Sequence, residues 1–69
     1  MYVNLMYWNI KIIKKVAEES AEVVIASLKS SKKDQVYELA DLWYHLLVLL
    51  EAKKITLDDI GKELEKRFK

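Results

Sequence analysis

The chain has no cysteine, no proline and a single glycine. Without cysteine no disulfide can staple the fold, which is compatible with a reducing cytoplasm. Without proline, and with one glycine in 69 residues, nothing punctuates the chain into two domains, so residues 1–69 are expected to form one unit. A charge surplus is lacking too: the formal net charge of +1 argues against nucleic acid as a partner. No run reaches the roughly 18 uninterrupted apolar residues of a membrane span, because Asp41 and His45 interrupt the best candidate. The apolar start MYVNLMYWNIK lacks the positive charge and the small-residue cleavage site of a signal peptide. A soluble, cytoplasmic protein is expected.

What the chain does have is apolar surface, at 52% of residues, far more than a disordered segment carries. A domain this small buries only roughly 60% of its unfolded surface. With disulfides excluded, metal binding or oligomerisation remains to stabilise it.

The apolar spacing predicts three helices and no strands. The first runs from about Asn9 to Leu28, with Ile10, Ile13, Val16, Ala17, Ser20, Ala21, Val24 and Leu28 at helical intervals. The residues before it either extend it or form an irregular lead-in. After the polar KSSKK break, Ser30 or Ser31 is placed to cap a second helix reaching about Lys53. Thr56 followed by Asp59 has the form of a capping box for a third, whose stripe is Leu57, Ile60, Leu64 and Phe68. Short connections between long helices favour an antiparallel all-α bundle, here three helices per chain completed by oligomerisation.

Charge patterning then narrows the chemistry. Glu18, Glu19 and Glu22 fall within an arc of about 100° on the first helix, with Lys11 and Lys15 on the same side. From Val23 to Leu28 the same helix is apolar nearly all round, so that stretch is expected to be buried on most sides. Asp34, Glu38, Asp41 and His45 fall within about 60° on the second helix, which is otherwise apolar from Leu39 to Leu50. An acid in such surroundings must be protonated, paired or metal-bound. If the two acidic rows face each other, five carboxylates converge, and a hard divalent cation with oxygen ligands, Mg²⁺ before Mn²⁺, fits them. The plainer alternative is a solvated face on which Lys14 pairs with Glu18 and Lys15 with Glu19. His45 reads as a core or rim histidine, and Trp43 and Tyr44 as core or interface.

KKVAEESAEVVIA, Lys14 to Ala26, followed by YELADLWYHLLVLL, Tyr37 to Leu50, resembles the phosphoribosyl-ATP pyrophosphohydrolase family of histidine biosynthesis. The tail ITLDDIGKELEKR resembles that family's last helix, so the likeness covers about Ile10 to Arg67. The wider all-α nucleoside triphosphate pyrophosphohydrolases, MazG type included, carry EExxE and ExxD, found here as Glu18-Glu19-x-x-Glu22 and Glu38-x-x-Asp41. The resemblance implies a Mg²⁺-dependent homodimeric enzyme, or a higher homo-oligomer, that hydrolyses phosphoribosyl-ATP to phosphoribosyl-AMP and pyrophosphate. It implies Glu19, Glu22, Glu38 and Asp41 as metal ligands, and Glu18 as a further ligand or the base that orients water. Lys11 and Lys15 are then placed to meet substrate phosphates.

The likeness departs from the family at the start. The family's N-terminal helix is expected to be missing, and Ala17 stands where the family has glycine. Two competing functions follow: a MazG-type enzyme acting on nucleoside triphosphates, or a shortened, non-catalytic helical oligomer.

Overall fold

A computed structural model describes residues 2–29 and 31–68, with side chains from residue 5 onward. It holds three helices, α1 (Tyr2–Lys29), α2 (Lys32–Lys53) and α3 (Leu57–Arg67), and no strand among the described residues. The expected lead-in is helix: Leu5 and Asn9 continue the helical repeat, so α1 reaches back to Tyr2. Its 28 residues at about 1.5 Å each account for the longest dimension of the molecule, 42 Å.

Capping sets the other boundaries. Ser31 caps α2, its hydroxyl accepting from the Asp34 N–H at 3.4 Å, and the other candidate, Ser30, lies outside the described residues. The end of α2 is closed by Lys54 in the left-handed conformation (φ 58°), with the Ile55 N–H donating to the Leu50 carbonyl at 2.9 Å. This wraps the last turn in the manner usual for glycine. The Thr56–Asp59 capping box forms in both directions, at 3.0 and 2.9 Å, and starts α3.

Helices α1 and α2 pack side by side and antiparallel, the start of α1 lying against the end of α2. On α1 the residues turned inward are Asn9, Ile12, Val16, Glu19, Val23 and Ala26, spaced alternately three and four apart. Gln35, Glu38, Leu42, His45 and Leu49 repeat that spacing on α2. Such a row keeps one edge of each helix against its neighbour.

That row corrects the expected inner face of α1. Of the apolar stripe read from the sequence, only Val16 and Ser20 point toward α2, whereas Ile10, Ile13, Val24 and Leu28 are exposed. The stretch from Val23 to Leu28 is likewise not buried on most sides: only Ala26 is, at 5% exposure. The outward stripe lies roughly a third of a turn round the helix from the inward row. Helix α1 therefore has two apolar faces, and α2 covers one.

Every described residue from Glu51 onward is exposed, and α3 makes no extensive contact with α1 or α2. The shortest dimension is 14 Å, about one helix with its side chains. A compact 8.1-kDa monomer exposes roughly 4,500 Å², whereas this chain exposes 6192 Å². The molecule is a single layer of helices, open on both sides.

Candidate metal centre

Apart from Asn9 and Gln35, the inward row is apolar except where it is ionisable. Glu19, on α1, is the one charged residue among those described that is fully buried, at 4% exposure. It enters the row because the interval from Val16 to Glu19 to Val23 keeps the three–four alternation. Glu38 and His45 occupy equivalent places on α2, and Asp41 lies one turn from each of them.

These residues form two groups that share Glu19. Ligand atoms of Glu19, Glu22 and Glu38 lie within 4.8 Å of one another, and so do those of Glu19, Asp41 and His45. The four carboxylates expected as ligands from the family resemblance, Glu19, Glu22, Glu38 and Asp41, are thus brought together. Glu18 is not among them. It is exposed on the next edge of α1, with Lys15 Nζ 3.9 Å from its carboxylate. The expected Lys15–Glu19 and Lys14–Glu18 pairs do not form among the described residues, because Glu19 has turned inward and Lys15 has taken Glu18.

Electrostatics in the cage are unfavourable as they stand. Burial, then proton sharing with Asp41 and the charges of Asp41 and Glu22, pushes the Glu19 carboxyl above its ordinary range; His45 opposes this weakly. Burial, then the charges of Glu22 and Asp41, does the same to Glu38. Glu19 Oε1 and Glu38 Oε1 are both buried without a hydrogen-bond partner. A buried carboxylate oxygen left unsatisfied is costly. Two of them, one from each helix and with further carboxylates beside them, suit a hard divalent cation, which takes oxygen ligands and neutralises the repulsion at once.

His45, expected as a core or rim histidine, is half-buried in the row and also borders the carboxylates. Its Nδ1 lies 2.8 Å from the Asp41 carbonyl oxygen. A carbonyl only accepts, so Nδ1 is the donor in this contact, and Nε2 is the ring nitrogen left for other partners. The ring is oriented by its own helix, and Tyr44 packs edge-on against it with centroids 5.3 Å apart. The i, i+4 interval from Asp41 to His45 puts the ring on the acidic row of α2, and the packing of α1 on α2 brings Glu19 to the same point.

Lys11 and Lys15 both line a cleft of about 280 Å³ beside the cage, together with Glu18 and His45. Lys14 and Trp8, which the sequence reading had not assigned to a site, line it too.

Comparison with known proteins agrees with the resemblance. A family model described as phosphoribosyl-ATP pyrophosphohydrolase matches residues 3–68. The chain is 63% identical over 59 residues to the histidine biosynthesis bifunctional protein HisIE of Caldanaerobacter subterraneus, covering 86% of this chain and 29% of that protein. It is 48% identical over 69 residues to the phosphoribosyl-ATP pyrophosphatase of Vesicomyosocius okutanii, covering 97% and 66%. Against the phosphoribosyl-ATP pyrophosphatase of Clostridium acetobutylicum it is 56% identical over 57 residues, covering 83% and 52%. The chain thus spans between under a third and about two thirds of the length of these relatives. With a family match over nearly its whole length and the acidic motifs of both helices meeting in one cage, the chain belongs to the phosphoribosyl-ATP pyrophosphohydrolase family.

Proposed function

We propose that this chain hydrolyses phosphoribosyl-ATP to phosphoribosyl-AMP and pyrophosphate, the second step of histidine biosynthesis, with Mg²⁺ (or Mn²⁺) as its cofactor. The observation that carries this reading is the buried Glu19 carboxylate, unpartnered at Oε1 and surrounded by Glu22, Glu38 and Asp41 in a chain of this family. Glu19, Glu22, Glu38 and Asp41 hold the cation, and His45 offers a nitrogen on the same side. When bound, a divalent ion neutralises phosphate charge and acidifies a water ligand.

The remaining work falls to positioning, which is most of what phosphoryl chemistry demands. Glu18 stands outside the ligand groups and on the cleft, where its carboxylate accepts a proton from the attacking water. Lys11 and Lys15 face the same cleft and receive phosphate oxygens. One water adds across the anhydride between the α and β phosphates, and pyrophosphate leaves.

The working form is a homodimer or higher homo-oligomer. The surface in excess of a compact monomer, roughly 1,700 Å² per chain, would give a total in the range of obligate interfaces, about 2,000–5,000 Å². The outward stripe of α1, with Ile10, Ile13, Val24 and Leu28, and the exposed Val36, Trp43 and Leu47 of α2 supply apolar faces for it. No helix among the described residues is long and apolar enough to cross a membrane, and a cytoplasmic site of action belongs to the same reading.

Pyrophosphate release from phosphoribosyl-ATP, with Mg²⁺ and with EDTA, tests the proposal. Release that needs the cation, and that is faster than from deoxynucleoside triphosphates, supports it. Faster release from the triphosphates would point to a MazG-type activity, and no release from any nucleotide would overturn the enzymatic reading.

A further inference from the structure

The cleft beside the cage combines two chemistries that are seldom found together by accident. Its walls are apolar and aromatic, from Trp8 at the start of α1 and Val48 near the end of α2. Its rim carries the ammonium groups of Lys11, Lys14 and Lys15. Lys15 is paired with Glu18, and Lys11 lies over the Tyr7 ring at 5.3 Å, but Lys14 has no ion partner among the described residues. His45 lies on both the cleft and the acidic cage, so the two adjoin. A net positive patch thus directly borders a cluster of carboxylates.

We propose that this cleft holds the purine base of the nucleotide, stacked on Trp8, with Lys14 meeting its phosphates as they pass toward the cage. The inference rests on the functional reading above and extends it from the phosphates to the base of the substrate. Volume is compatible with this placing. At about 280 Å³ the cleft lies just under the roughly 300–1,000 Å³ of sites that enclose drug-sized ligands, so it takes the base and the phosphates nearest it rather than the whole nucleotide. Trp8 is free to serve. It is 60% exposed, and Tyr7 meets it edge-on rather than stacked, with centroids 6.2 Å apart, so at least one indole face stays uncovered. Aromatic faces accept bases with little regard to sequence or orientation, while a flexible ammonium suits a phosphate as a point charge. Binding energy from the base, which does not itself react, holds the substrate in register with the cage.

The test is steady-state pyrophosphate release from phosphoribosyl-ATP by the wild-type chain, Trp8→Ala, Trp8→Phe and Lys14→Ala. Trp8→Ala is expected to raise KM roughly tenfold with a far smaller change in kcat, and Trp8→Phe to recover most of the loss. Helix content by circular dichroism should be the same in all four, since Trp8 and Lys14 are exposed. An active wild type whose KM is unmoved by Trp8→Ala would overturn the inference and leave the functional reading intact. If the wild type turns over no nucleotide, the functional reading fails and binding alone decides. Quenching of Trp8 emission by AMP in a Trp43→Phe background, with none by inorganic tripolyphosphate, would then sustain the base site, and no quenching by AMP would end it.

Discussion

The carboxylates of the α1–α2 hairpin and those of α3 live under opposite conditions. In α3, Asp59 accepts hydrogen bonds from the Thr56 N–H, which hold its carboxyl below the ordinary range. Its neighbours Asp58 and Glu63 pair with Lys62 and Arg67 at 3.2 and 3.0 Å. In the hairpin, Glu19 and Glu38 are pushed the other way, each with a buried oxygen that has no partner. Asp58, Asp59 and Glu63 of α3 are satisfied by groups within four residues along the chain, so they serve the helix that carries them. Glu19 and Glu38 of the hairpin are each left with an oxygen the fold does not satisfy, and a proton or a bound cation would relieve them. The same residue type thus sits satisfied in one region and frustrated in the other.

If that contrast is right, neutralising the two regions has opposite consequences. Glu38→Gln and Asp41→Asn are expected to reduce turnover of phosphoribosyl-ATP on the order of a thousandfold, the scale of losing well-placed charge stabilisation at a phosphoryl centre. Thermal melts of the metal-free variants should show stability equal to or above wild type, since each removes one member of a repelling cluster. Full activity in either variant would take that residue off the ligand set. A large loss of stability would mean that its charge serves the fold, as the charges of α3 do.

The pH dependence of the metal-free chain should show the contrast directly. Glu19 and Glu38 have folded-state pKa values above the ordinary 4.5. Their contribution to stability is therefore fully present below that value and is lost as pH rises through the raised pKa. Asp59 is lowered from 3.8, so its contribution is present above that value and is lost as pH falls through the depressed pKa. In EDTA, the melting temperature attributable to the hairpin should fall from mildly acidic to neutral pH, and Glu19→Gln should flatten that slope. Mg²⁺ or Mn²⁺ should restore stability at neutral pH, by about 2.7 kcal/mol at a hundred times its dissociation constant. A neutral-pH melt unmoved by either cation would break the comparison.

The sequence made α3 legible almost to the residue, because the signals there are local. Thr56 and Asp59 are three positions apart and satisfy each other, and Ser31 likewise caps α2 on its own. The acidic residues of α1 and α2 were legible as a set through their spacing and the family likeness. Which face of α1 turns inward was not. Its more apolar stripe, through Ile10, Ile13, Val24 and Leu28, finds no partner within the layer, while the row that does pack includes Glu19. A single helix wheel ranks faces by hydrophobicity, and that ranking fails here, where the face that packs on α2 carries Glu19 and the greasier face stays exposed. His45 lies half-buried in the row, as a core or rim histidine does, and its nearness to Glu19 could not be read from one helix. Its neighbour Glu19 comes from the opposite helix, 26 positions away, and only packing brings them together.

The smallest expected effects lie in α3. Thr56→Ala removes the hydroxyl that accepts from the Asp59 N–H, and should cost about 1 kcal/mol of local stability, read as faster amide exchange across Leu57–Arg67. Gly61→Ala should act in the other direction. Gly61 lies inside α3, and a methyl built there meets nothing within 4 Å. Alanine is the better helix former by up to about 1 kcal/mol, so α3 should exchange more slowly while turnover is unchanged. That outcome treats α3 as it stands in one chain, exposed on every side. If Gly61→Ala instead weakened self-association in sedimentation, the open space at Gly61 would be where a second copy approaches, and α3 would join the outward stripe of α1 as part of the interface.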